Sequence, residues 1–301
     1  MIPLRIRLFG GLHLSRGDEP LPAFPTQRAR SLFAYVALHR SRLHARELVI
    51  GQLWGDESES IGRKALRMAL WRVRGVVDPP ADAAEPSPLR VSGTALGFNS
   101  DAAYWLDVEE FEHLLRAVAP RPDGTLDEDD AQRLRSAIDL YAGDLLEDIY
   151  DDWCLYDRER LRLLYHGALE RLMRFEEERS AWAAAIALGQ RLLALDPLME
   201  QVHREMMRCY VRRGSRAAAL RQFESCARVL RAELDVDPMP ETIDLYLRIR
   251  GGADPSPDEE PESEPEALLQ RVDRALEALH DLADQLEETR TRLHLPEPAA
   301  P

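Results

Sequence analysis

The chain has 301 residues, 45% of them hydrophobic and 31% charged, which suits two ordinary globular domains and excludes transmembrane and collagen-like architectures. The formal charge of −15 is unevenly placed: residues 1–100 carry 14 basic and 9 acidic side chains, residues 101–250 carry 21 and 31, and residues 251–301 carry 4 and 14. Only the first segment is basic, so any contact with a polyphosphate must come from there.

In chain order, Leu4 to Phe9 alternates with period two, Gly10-Gly11 interrupts, and Leu12 to Ser15 resumes, which predicts two short antiparallel strands. Thr26 follows Pro22 and Pro25 as a cap for a helix to about His39, with Leu32, Phe33, Val36 and Ala37 inward. A short helix over 45–53 is expected to bury Leu48, Val49 and Leu53, and a polar turn at 55–60 leads to a third helix ending near Val77. The Pro-rich stretch 78–88 reads as a loop, and 89–92 with 95–98 around Gly93-Thr94 as a hairpin.

Beyond Trp105 the pattern is helical to about Arg250. Leu134, Ile138, Tyr141 and Leu145 form one apolar face, and Leu161, Leu164, Leu169 and Leu172 another. Ser180 to Ala185 and Ser215 to Leu220 are alike and lie 35 residues apart, each helix pair ending at an Asp-Pro. That period suggests a tetratricopeptide-like (TPR-like) helical-repeat array; an irregular helical bundle is the alternative. Residues 251–265 are acidic and Pro-rich, the composition of a disordered linker. In 266–295, Leu269, Val272, Leu276, Leu279, Ala283, Leu286 and Leu293 recur at coiled-coil spacing, for a dimer contact or a helix that folds back on the array. The expected fold is thus mainly α: an N-terminal α+β winged helix-turn-helix (1–100), an all-α TPR-like domain (104–250) and a C-terminal helix.

The third helix carries the clearest functional pattern. Leu66, Leu70, Val73 and Val77 gather on one side; Lys64, Met68, Trp71 and Arg72 lie opposite, with Arg63, Arg67 and Arg74 on the flank and no acid from Ser60 to Val77. Lys64 is the one lysine among 39 basic residues. A helix buried on one side and cationic on the other, after a short helix and a turn, has the form of a DNA recognition helix. Arginine pairs bidentately with guanine, and the remaining cations hold phosphates. Arg90, Ser92 and Thr94 in the hairpin are then candidates for a wing beside the duplex; the plain alternatives are a solvated basic surface and a hairpin that only closes a sheet.

Catalytic signatures are missing: no GxxxxGK[ST], HExxH, GxSxG or GxGxxG occurs, and the eight histidines include no His-x-x-x-His pair. No enzyme, metal or cofactor is expected. The acidic runs 127–130, 147–148 and 151–152 read as solvated helix starts. Cys154, Cys209 and Cys226 form no CxxC pair and are expected as buried, reduced thiols. The start of the chain is not a signal peptide, and no stretch reaches the roughly 20 apolar residues of a membrane span, so a cytoplasmic protein without membrane contact is expected.

Leu4 to Phe98 resembles the OmpR-type winged helix of the antibiotic regulatory protein (SARP) family, notably through Arg63-Lys64-Ala65-Leu66 and Leu70-Trp71-Arg72-Val73-Arg74. Residues 104–250 resemble the bacterial transcriptional activator domain through Trp105 to Phe111, Leu140 to Leu146, Tyr150 to Trp153 and His203 to Met207. The resemblance implies a transcriptional activator that binds direct repeats in double-stranded DNA as a side-by-side homodimer and helps recruit RNA polymerase; it implies neither a small-molecule effector nor a phosphorylation switch. Two rivals remain: a protein-interaction scaffold with incidental DNA affinity, and a ligand sensor whose array is lined by Trp153, Trp182 and Tyr210.

Overall fold

The computed structural model describes residues 3–80, 85–118 and 125–252. The predicted strands form as β1 (Leu4–Arg7) and β2 (His13–Arg16), antiparallel, with Ile6 opposite Leu14. The short β3 (Glu19–Pro20) extends this sheet on one edge. Leu4, Ile6 and Leu14 face inward while Arg5 and Arg7 face out, which is the period-two pattern made physical.

Three helices follow. Helix α1 (Gln27–Leu38) starts at Thr26, whose hydroxyl accepts from the Ala29 amide, and its Leu32, Phe33, Val36 and Ala37 are fully buried. After the two-residue strand β4 (His44–Ala45) comes α2 (Arg46–Trp54), which buries Val49, Ile50 and Leu53. Leu48, expected inside, is half exposed, and Ile50 takes its place because the inward face of this short helix is set by α3. Helix α3 (Glu59–Val77) buries Leu66, Leu70, Val73 and Val77 against α1 and α2. Burial of such side chains stabilises by roughly 1.5–3 kcal/mol each. The close approach depends on Gly62, where a Cβ would stand 2.5 Å from the Ile50 Cγ2. The hairpin β5 (Leu89–Val91) and β6 (Ala95–Phe98) pairs as expected, and β6 also pairs with β4. These elements make a winged helix-turn-helix.

Strand β7 (Tyr104–Leu106) runs parallel to β1 and gives the first sheet the order β3-β2-β1-β7. From there the chain is helical: α4 (Asp107–Ala117), α5 (Glu128–Leu140), a short 3-10 turn at Asp152–Cys154, α6 (Leu155–Glu178), α7 (Trp182–Leu195), α8 (Glu200–Arg212), α9 (Arg216–Glu233) and α10 (Pro240–Gly251). Consecutive helices pack on one another from α4 onward, as in a helical-repeat array. Leu164, expected on the buried face of α6, is exposed, and Tyr165 with Ala168 fills that line. Asp127 caps α5 by accepting from the Asp130 amide at 2.8 Å, the helix-start role read for that acidic run.

One hydrophobic core runs from Leu4 through α8 without a break. A smaller cluster around Met207, Ala219, Leu245 and Ile249 closes the far end of the array. The linker and the heptad positions Leu269, Val272, Leu276, Leu279, Ala283, Leu286 and Leu293 lie outside the described residues. All three cysteines are buried with free thiols. Among the described residues no helix is long and apolar enough to cross a membrane, and no cluster of histidine, cysteine and carboxylate groups could hold a metal ion.

Candidate nucleic-acid interface

The outer face of α3 is set by what its inner face must bury. With Leu66, Leu70, Val73 and Val77 fixed inward, Lys64, Met68 and Trp71 are carried to the opposite side, with Arg67 and Arg74 beside them, all exposed. Two of the predicted cations differ from the rest. Arg63 forms ion pairs with Glu59, one turn back, and with Glu47 of α2 at 3.6 Å, so carboxylates already compensate its charge. Arg72 is half-buried and donates to the Thr26 hydroxyl at 3.5 Å, tying α3 to the start of α1. The Glu59–Arg63 spacing was readable as an i,i+4 pair; the tertiary contacts to Glu47 and Thr26 were not. Lys64, Arg67 and Arg74 thus make up the cationic part of the outward face.

In the hairpin, Arg90, Ser92 and Thr94 are exposed. Ser92 has a local task, because its hydroxyl accepts from the Ala95 amide at 3.1 Å and closes the turn. The Thr94 carbonyl accepts from the Arg46 amide at 3.0 Å, which fixes the hairpin to the start of α2. The hairpin therefore stands at a fixed angle to the helix-turn-helix, and it presents the Arg90 and Thr94 side chains.

The residues that hold this unit on the helical array were not singled out as functional by sequence. Asp107, the first residue of α4, is 2% exposed, and its carboxylate accepts from the amides of Leu8 (2.8 Å), Phe9 (3.0 Å) and Val108 (2.7 Å). Burial pushes its carboxyl up to about 6, while those three amides and Arg7 pull it down. Phe9 packs edge-on to Phe111 at 5.2 Å and beside Tyr141 at 4.7 Å, and Tyr141 stacks on Tyr165 at 3.9 Å. The loop after α5 is pinned by Arg158, which donates to the carbonyls of Leu145, Leu146 and Ile149 at 2.7–2.8 Å. The start of α1 reaches the same loop through Gln27 to the Asp148 carbonyl, Arg28 to Asp151 at 3.2 Å and an Arg30–Asp148 ion pair.

The three aromatics considered for a ligand cavity have other surroundings. Trp153 packs edge-on to Tyr35 at 5.3 Å and its indole N–H donates to Asp151, while Trp182 lies under Arg212. A groove of about 710 Å³ between β2 and the start of α1 and one of about 590 Å³ beside α4 are lined by other residues. Neither contains Trp153, Trp182 or Tyr210.

This architecture is a winged helix-turn-helix continuous with a helical-repeat domain, the form of a transcription-factor chain. Residues 106–250 match the bacterial transcriptional activator domain. The chain is similar to the regulatory protein AfsR of Streptomyces coelicolor, 30% identical over 247 residues, and to the regulatory protein AfsR of Streptomyces griseus, 26% identical over 249 residues. Each alignment takes in 82% of this chain and 24% of the relative, so the chain spans about a quarter of the length of the curated relatives it matches. Among solved structures it resembles Mycobacterium tuberculosis EmbR, determined in complex with a low-affinity phosphopeptide, at 20% identity and a TM-score of 0.62, covering 84% of this chain and 66% of that one. These matches support a SARP-type transcriptional regulator, with the bacterial transcriptional activator domain over residues 106–250.

Proposed function

We propose that this protein binds double-stranded DNA sequence-specifically and regulates transcription, with α3 in the major groove and the β5–β6 hairpin against the flanking backbone. The observation that carries the reading is the outward face of α3, where Lys64, Arg67 and Arg74 stand exposed around Met68 and Trp71 on a scaffold that fixes their direction. Lys64 and Arg74 supply phosphate contacts, Arg67 reads a base edge, and Arg90 supports them from the wing. Arg63 and Arg72 act chiefly as struts, consistent with their bonds to Glu47, Glu59 and Thr26.

In this reading the acidic helical array does not touch DNA and serves protein contacts instead. The match to the bacterial transcriptional activator domain supports activation, and the resemblance to SARP-type regulators suggests binding to direct repeats as a homodimer and RNA polymerase as the partner recruited. The exposed aromatics Tyr150, before the 3-10 turn, and Tyr156, at the start of α6, suit a protein partner. The heptad positions 269–293 would add a second dimer contact.

The test is selection from a random duplex pool by the full-length protein at physiological salt. Enrichment of paired half-sites in one orientation is expected. Retention of unselected sequence alone would leave a protein-interaction scaffold as the better account.

A further inference from the structure

Trp71 is the large apolar side chain that the fold leaves most open on α3, at 71% exposure, and Met68 beside it is 43% exposed. At 100° per residue, Lys64, Met68, Trp71 and Gly75 fall within a sector of about 60° centred directly opposite the buried line. A Cβ at Gly75 would meet nothing within 4 Å, so the helix surface next to the indole is open. Arg67 and Arg74 flank the sector on one side. The outward face therefore carries an apolar pair, Trp71 and Met68, with Lys64 beside it and Arg67 and Arg74 on one border.

Water is a poor permanent partner for such a pair, and an adjoining basic border selects a polyanionic one. On the major-groove edges of the four base pairs, the one methyl group is the C5-methyl of thymine; cytosine offers only a flat C5–H there, and the remaining edge groups are mainly hydrogen-bond donors and acceptors. We infer that Trp71, with Met68, reads a thymine methyl group at the middle of each half-site, while Lys64 and Arg74 hold neighbouring phosphates. This inference rests on the proposed placement of α3 in the major groove and adds to it the base that the apolar pair selects. It assigns to Trp71 a specificity-determining role that a phosphate-binding surface alone would not require.

The test replaces each thymine of the selected duplex, one at a time, by deoxyuridine, which removes the methyl group and leaves every hydrogen-bonding group in place. For the full-length protein, one position per half-site should lose roughly fourfold in affinity, the change that burying a single methyl corresponds to. Trp71→Ala should bind more weakly and be indifferent to deoxyuridine at that position, whereas Trp71→Leu, which keeps an apolar contact, should retain part of the loss. Because Trp71 lies outside the core, both variants should show the far-ultraviolet spectrum of the parent protein. Equal binding of the thymine and deoxyuridine duplexes by the parent protein would overturn the inference, as would a full deoxyuridine penalty in Trp71→Ala. If the parent protein does not prefer the selected duplex over random sequence at all, it is the DNA-binding reading that fails, and the two outcomes are told apart in the same titration.

Discussion

At the scale of single residues, the clearest structural commitment is the Asp107 carboxylate, which collects three backbone N–H groups from two separate stretches of chain. Asparagine has the same shape but would turn an N–H2 toward at least one of those donors. Asp107→Asn is therefore expected to destabilise by about 1–3 kcal/mol, the cost of leaving buried polar groups unmatched, and chemical denaturation would register it as a lower midpoint at unchanged slope. A shift no larger than that of an exposed aspartate would show that the clasp is dispensable. On the functional face, Arg67→Ala should cost about 1–3 kcal/mol on the selected duplex and relax preference at one base pair, whereas Lys64→Ala should weaken all duplexes alike. Equal loss on specific and random duplexes for Arg67→Ala would assign base reading to another side chain. The sequence made Lys64, Arg67 and Arg74 legible because helical periodicity alone places Lys64 opposite Leu66 and Val73 and the two arginines on the flank. It could not show the ties of Arg63 to Glu47 and of Arg72 to Thr26, since those partners come close only through the fold.

At the scale of elements, the two turns that begin the near-repeats are superposable in their hydrogen bonds. After α8, the Gly214 amide donates to Val211 O and the Ser215 amide to Tyr210 O; after α6, the Ser180 amide donates to Glu177 O and the Ala181 amide to Glu176 O. Both are helix ends closed through one left-handed residue, with φ of 82° at Gly214 and 58° at Ser180. Serine tolerates this conformation poorly and glycine freely. Ser180→Gly is accordingly expected to stabilise the protein by about 0.5–1 kcal/mol, seen as a higher melting temperature, and a lower one would mean that the serine side chain has an unrecognised role. The repeat was visible in sequence through its alanine clusters and its period, and the structure gives those clusters their place as α7 and α9. Periodicity failed for Leu48 and Leu164, where the inward direction is decided by the neighbouring helix and not by the pattern along one helix.

At the scale of the molecule, the winged helix and the array share a sheet and a core. Strand β7 lies beyond the composition boundary near residue 100 yet pairs with β1, Phe9 bridges to Leu145, and Leu146 donates to the Leu8 carbonyl at 2.8 Å. Sequence could not place that strand, because three residues, Tyr104, Trp105 and Leu106, are too few to show a period. Residues 3–252 are expected to unfold in one cooperative calorimetric transition, and a fragment ending at residue 100 to lack a sharp one. Two well-separated transitions would contradict a shared core. Under the proposed function, this shared core fixes the direction in which the array is presented when α3 is seated on DNA.

The central claim, that the exposed face of α3 reads DNA, is tested most directly by measuring affinity for the selected duplex and for random duplex across a series of salt concentrations. The account predicts a preference for the selected duplex of at least about 10³-fold at physiological salt. It also predicts that log affinity falls with log salt by about 0.9 for each phosphate neutralised, and that Lys64→Ala lowers this slope by roughly one. Equal affinity for both duplexes, with a slope unchanged by Lys64→Ala, would contradict it.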